Sequence, residues 1–224
     1  AAVGPFAVDE GLVSVNGDHA CVRILNVNTG RIIRSTFSLD DGTAGVNGDL
    51  CLPGVAGSGA PINLVFDNPG GGATGKLLPT GRPTDELQTR GTHFEVSMVD
   101  AGNPCVFVRA QDLGLVGCEL PDTLSQFSEA LDALESIRLS ASVAMGIAEN
   151  IHQASAIPGI PKIAIVSCPA DSVTLSAETI GKYDCDLMLR MISVGQPHRA
   201  IPVTGALCTA VAARIEGTVV NQLT

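Results

Sequence analysis

An α+β fold, with sheets wrapped around buried helices, is predicted by three features of the 224-residue sequence. Strand-like segments outnumber helical ones and do not alternate with them as a doubly wound sheet requires. Gly and Pro are abundant, at 25 and 13 residues, so turns are frequent. Aromatic residues make up only 3% and Trp is absent, which leaves Val, Ile, Leu and Ala to build the core. The two clearest helical patterns are themselves apolar, so they belong inside the fold.

The opening AAVGPFAVDEGLV sets Val3, Phe6 and Ala7 at helical spacing, with Pro5 in the first turn and Gly11 at C′. It lacks both an initiator Met and a capping Ser, Asp or Thr, and is read as the remainder of a helix begun upstream. HACVRILNVNTGRIIRSTFSLDDG alternates apolar and polar residues around Asn28–Gly30, a hairpin with an expected loop of two or three residues. A loop-rich stretch runs from Gly45 to Leu87, with one strand in APINLVF and a turn at Asn68–Gly72. Its GGGATGK run lacks the GxxxxGK[ST] spacing, and no helical pattern follows Lys76, so a phosphate loop is not supported.

THFEVSMVDAGNPCVFVRAQDLGL reads as two strands separated by Ala101–Pro104. The longest helical pattern spans Thr123–Ala154, stepped by Leu131, Leu134, Ile137 and Arg138, with a break expected at Leu139–Ala141. IPGIPKIAIVSCPAD and CDLMLRMISVG each hold a strand. TGALCTAVAARI forms a small-residue helix that ends near Gly217.

Bulk properties exclude several function classes. A formal net charge of -10 repels polyanions, so nucleic acid is not an expected partner. No run of about 18 apolar residues suggests a membrane span, and no basic n-region suggests a signal peptide. The seven cysteines are scattered and lack CxxC pairs, which fits buried thiols in a reducing cytoplasm, not a disulfide framework or a zinc site. The four histidines show neither HxH nor HExxH spacing, so no metal is expected. There is no GxSxG elbow, and Cys208, inside the small-residue helix, reads as a packing residue.

Chemistry is best sought in HRAIPVTGALCTAVAARI, residues 198–215. Thr204 is the expected N-cap and Gly205 the first turn of a helix whose free N–H groups attract an anion. His198 and Arg199 could add donors to the same anion. An ordinary capped core helix preceded by two exposed basic residues fits this stretch equally well. Asn103, before Pro104, could present an amide to a ligand or simply turn the chain. Arg190, between apolar neighbours, must find a carboxylate, a ligand or solvent. Lys76 and Lys162, after Gly75 and Pro161, could be ligand contacts, but the surface is their default place.

Taken in order, AAVGPFAVDEGLV, GKLLPTGRPTDEL, VDAGNPCVFV, GIPKIAIVS, LRMISVGQPHRAIPVTGALC and ARIEGTVVN resemble the methylaconitate isomerase (PrpF) family. The resemblance covers nearly the whole chain. It implies a diaminopimelate-epimerase-like fold of two pseudo-symmetric halves, here 1–92 and 93–224, each a sheet around a central helix with the active site between them. It further implies a cofactor-independent 1,3-proton shift that moves a C=C bond in an unsaturated di- or tricarboxylate, such as 2-methyl-aconitate, trans-aconitate or methylitaconate. A 4-oxalomesaconate tautomerase and a non-catalytic carboxylate-binding protein are the alternatives.

Asn103, Arg190, His198, Arg199, Thr204 and Gly205 map onto the substrate-binding side of that family. Its proton-transfer Cys and Lys would lie upstream of Ala1, so no catalytic residue is assigned within the sequence. Pro202 stands where the related epimerases carry a second cysteine, which argues against two-cysteine racemisation. A small carboxylate is therefore the expected partner, in the cytoplasm, and a homodimer is one allowed assembly.

Overall fold

A computed structural model describes residues 1–52 and 55–224. Positions 53–54 of the predicted loop-rich stretch lie outside the described residues. Two compact units are present, Ala1–Pro69 and Gly70–Thr224.

In the first unit, helix α1 (Val3–Asp9) precedes strands β1 (His19–Asn26), β2 (Arg31–Asp40), β3 (Thr43–Ala44) and β4 (Asn63–Phe66). Strand β2 pairs antiparallel with the other three. A Cβ on Gly4 would lie 2.5 Å from Ser35 Oγ, so glycine is what lets α1 approach β2. The chain leaves α1 through Gly11 at φ 64°, a left-handed conformation that glycine adopts without steric cost. Val8, Ala20, Val22, Phe37 and Leu39 form the core. Alternate residues at the start of β1 face that core, while Leu25 near its end is 58% exposed. The hairpin loop is Val27–Gly30, longer than expected. Asn26 Oδ1 accepts from Asn28 N–H and Asn26 O accepts from Thr29 and Gly30, so a side chain widens the turn.

The second unit contains β5 (Asp85–Thr89), β6 (Thr92–Ala101), β7 (Asn103–Arg109), α2 (Pro121–Leu124), α3 (Ser128–Ala144), α4 (Ile151–Ser155) and β8 (Lys162–Ser167). After these come β9 (Ser172–Val173), β10 (Thr179–Ile180), β11 (Met188–Ser193), β12 (Gln196–Pro197) and α5 (Val203–Ala212). Its six-stranded sheet has the order β12-β11-β8-β7-β6-β5, antiparallel except for the parallel β7–β8 pair. Strands β9 and β10 form a separate ribbon.

Both sheet faces are covered. Val96, Met98, Val106, Val108, Ile163 and Ile165 pack against Leu134 and Ile137 of α3. Val99, Cys105, Phe107, Ala164 and Val166 pack against Cys208 and Ala212 of α5. Helix α5 is thus the buried small-residue helix that the sequence anticipates, and its short side chains bring Cys208 Sγ within 3.4 Å of Val99 O.

The expected helix break at Leu139–Ala141 is not observed. Helix α3 runs through it because Ile137, Arg138, Ala141 and Ser142 keep one buried face continuous. The interruption comes later, at Gly146 with φ 73°, before Asn150 caps α4 by accepting from Gln153 N–H. Residues 70–92, which the resemblance places in the first half, belong by contact to the second unit, where β5 pairs with β6. No helix among the described residues is long and apolar enough to cross a membrane.

Candidate functional site

The α5 end of the second sheet gathers most of the chemistry. Strand β6 turns into β7 at Gly102, whose φ is 73° and where a Cβ would fall 2.8 Å from Leu207 Cδ2 and 4.0 Å from Thr204 Cβ. Only glycine permits that close approach, and it sets the half-buried Asn103 beside the first turn of α5. Pro104 is buried behind it.

Helix α5 begins two residues earlier than expected. Pro202, extended at ψ 139°, is the N-cap, Thr204 is the second helical residue, and no side chain caps the end. Pro202 supplies the carbonyl for the first intrahelical bond, from Ala206 N–H, because its fixed φ already suits a helix entrance. The N–H groups of Val203, Thr204 and Gly205 therefore have no acceptor within the helix. Gly205 is buried, and a Cβ there would meet Met191 Cε at 2.7 Å.

Met191 also links the helix to His198, whose backbone N–H donates to Met191 O at 2.9 Å. The His198 Nε2 atom is buried without a hydrogen-bond partner. Burial, aided by the Lys162 charge, pulls its pKa below the ordinary histidine value and favours the neutral ring. Lys162 opens β8, is half-buried, and donates to Ser193 Oγ at 2.8 Å. It lies opposite Cys105 in the β7–β8 register. The Cys105 thiol is pushed well up, first by its hydrogen bond with Cys208 and then by burial, so it is a neutral packing group.

Two predicted binding residues have other partners. Arg190 donates to the carbonyls of Glu119, Cys118 and Leu189 at 2.6, 3.1 and 2.9 Å, and so clamps the loop before α2 to β11. Arg199, largely exposed, pairs with Asp122 of α2 at 3.0 Å. The Gly102 turn, next to Asn103, thus lies against Thr204 and Leu207, and Met191, which holds the His198 backbone, meets Gly205, while Arg190 and Arg199 serve the α2 side.

Two further residues belong to this region. Lys162, read from the sequence as a surface residue that could also touch a ligand, carries no signal in its spacing for the Ser193 contact. Asp100, 1% exposed, accepts from Ala73 N–H, Thr74 N–H and Thr74 Oγ1 at 2.7–2.9 Å through Oδ2. The glycine-rich loop that failed as a phosphate loop is an anion cradle after all, and its anion is this internal carboxylate. Gly71 N–H donating to Asp100 O ties the same loop to the Gly102 turn. Among the described residues, no group of three or more His, Cys, Asp or Glu side chains could hold a metal.

Comparison with known proteins places this geometry. The family model described as PrpF protein matches residues 1–224, and the chain belongs to the PrpF family. It is 41% identical over 225 residues to the 3-methylitaconate isomerase of Eubacterium barkeri, covering 100% of this chain and 59% of that protein. It is 36% identical to the 2-methyl-aconitate isomerase of Shewanella oneidensis, covering 99% of this chain and 58% of the relative. The crystal structure of a methylitaconate-delta-isomerase superposes with a TM-score of 0.87 at 41% identity, over 99% of this chain and 58% of that one. The fold is accordingly the diaminopimelate-epimerase-like α+β fold, and the chain spans somewhat under three-fifths of the length of these relatives.

Proposed function

We propose that this protein is a cofactor-independent isomerase that shifts a C=C bond by a 1,3-proton transfer within an unsaturated di- or tricarboxylate of the methylitaconate and methylaconitate class. The observation that carries the proposal is the uncapped start of α5, set against Asn103, His198 and Lys162, in a chain whose named relatives isomerise such acids.

Removal of an allylic proton leaves a dienolate-like carbanion with its charge spread onto a carboxylate oxygen. The donors that meet that charge are the N–H groups of Val203, Thr204 and Gly205, already oriented before the reaction begins. Fixed donors of this kind contribute ~3–4 kcal/mol each to transition-state stabilisation. Asn103 adds an amide able to donate and accept, and it stays in place because the Gly102 turn touches Leu207. Neutral His198 adds no second cation and offers an unpaired ring nitrogen to the substrate. General acid and base groups supply roughly 10²–10⁴-fold more. On this reading the described residues form the anion-holding side of the reaction.

Proton NMR in D₂O with 3-methylitaconate, 2-methylaconitate and trans-aconitate tests the proposal. Loss of allylic or vinylic signals with deuterium uptake is the expected result. Saturable binding without exchange would make the protein a carboxylate binder instead.

A further inference from the structure

We infer that Lys162 is the cation that receives a substrate carboxylate, with Ser193 and the α5 start completing the anion pocket. The inference rests on the isomerase reading and names a residue for it that the motif correspondence does not reach.

Three observations carry it. Lys162 is half-buried, yet among the described residues it forms no ion pair. Arg34, Arg82, Arg90, Arg109, Arg138 and Arg199 all find carboxylates, in a protein with an excess of them. Taking an ammonium partly out of water without a counter-ion costs free energy that a bound anion would offset.

Second, its one hydrogen-bond partner is a neutral hydroxyl, Ser193 Oγ at 2.8 Å. An ammonium carries three donors, so two remain for a ligand. Ser193 ends β11 and Lys162 begins β8, and the antiparallel register that aligns Ile192 with Ile163 fixes the contact.

Third, the two groups that feel its charge, His198 and Cys105, are neutral, and Asp100, whose charge also acts on Cys105, is occupied through Oδ2 by Ala73 and Thr74. The Lys162 charge acts on His198 and on Cys105, helping to lower the first pKa and opposing the rise of the second. His198 hangs from Met191, and Met191 Cε touches the Gly205 position at the start of α5. The Lys162 ammonium thus acts on a neutral imidazole held by the strand whose Met191 meets the start of α5, and the one carboxylate acting on the Cys105 thiol, Asp100, is already held. That arrangement suits a di- or tricarboxylate, whose second carboxylate must be held while the first takes up charge.

The test uses tricarballylate, a saturated tricarboxylate with no double bond to shift, and isothermal titration calorimetry. Lys162→Gln should raise its Kd about 10- to 100-fold, the loss of one charge-assisted hydrogen bond, with the unfolding midpoint little changed. Lys162→Arg, which keeps the cation, should recover most of that loss. A Kd for Lys162→Gln within twofold of wild type overturns the assignment, even where the wild-type protein isomerises methylitaconate. Wild type that neither binds tricarballylate nor takes up deuterium overturns the isomerase reading and this inference with it. If Lys162→Gln does not fold, the Nζ resonance of Lys162 in the wild-type protein decides. Movement on titration supports the contact, and a stationary signal overturns it.

Discussion

The four-stranded and six-stranded sheets of this protein differ in how many faces they bury. Strand β1 in the first unit alternates buried and exposed residues along its first half, and Leu25 stands in solvent. Strand β7 in the second unit is buried from Pro104 to Val108 without alternation, because α3 covers one face and α5 the other. A one-faced sheet advertises its register in the sequence, since period-two patterning marks the inner face. A two-faced sheet hides its register behind a continuous apolar run, and gains in return a rigid floor on which polar groups can be positioned. Lys162, Ser193 and the Gly102 turn all sit on the rim of that second sheet.

The strongest way to break the comparison is Phe107→Ala. Phe107 is fully buried among the α5-facing residues, and its removal should cost about 3–5 kcal/mol, read from the urea unfolding midpoint. Hydrogen exchange should then accelerate across β6, β7 and β8 more than across β1 and β2. Equal acceleration in both units would mean that they unfold as one.

A smaller effect concerns pH at the candidate site. His198 has a folded pKa below its ordinary value, so the folded state resists protonation there. The unfolded chain takes up that proton first as pH falls below about 6.5, so stability present at neutral pH declines through the window from there down to the folded pKa. His198→Gln should flatten this part of the stability–pH curve. An unchanged slope in the variant would show that other groups govern it.

The smallest effect sharpens the contrast from the other side. Leu25→Thr, on the open face of β1, should move stability by no more than about 0.5 kcal/mol in the same unfolding measurement. A larger loss would reveal that this face is covered in the protein's working state.

Much of the framework was legible before any coordinates. The β1–β2 hairpin, the strands before and after Gly102, and the small-residue helix at α5 all follow from periodicity and turn residues. Errors arose where a neighbour in space overrode a local rule. Thr204 is a good capping residue, yet Pro202 enters the helix first and takes the N-cap. The stretch 139–141 looked like a break because its apolar spacing falters, but Arg138 keeps the helix buried by pairing with Glu135 and reaching the carbonyls of Ile157 and Ile160. Arg190 and Arg199 were both legible as cations needing partners. Their choice of loop carbonyls and Asp122 was not.

Sequence by itself determined the family, the α+β class, the acidic surface and the helix whose small side chains fit against a strand. It could do so because these depend on composition, on order along the chain and on local periodicity. Tertiary structure alone decided which partner each buried cation meets. Lys162 meets Ser193 only because an antiparallel register brings β8 and β11 together, and Asp100 fills the glycine loop only because β6 passes beneath it. Pairings across such separations leave no periodic trace in the sequence, since their partners are chosen by the geometry of packing and not by neighbours along the chain.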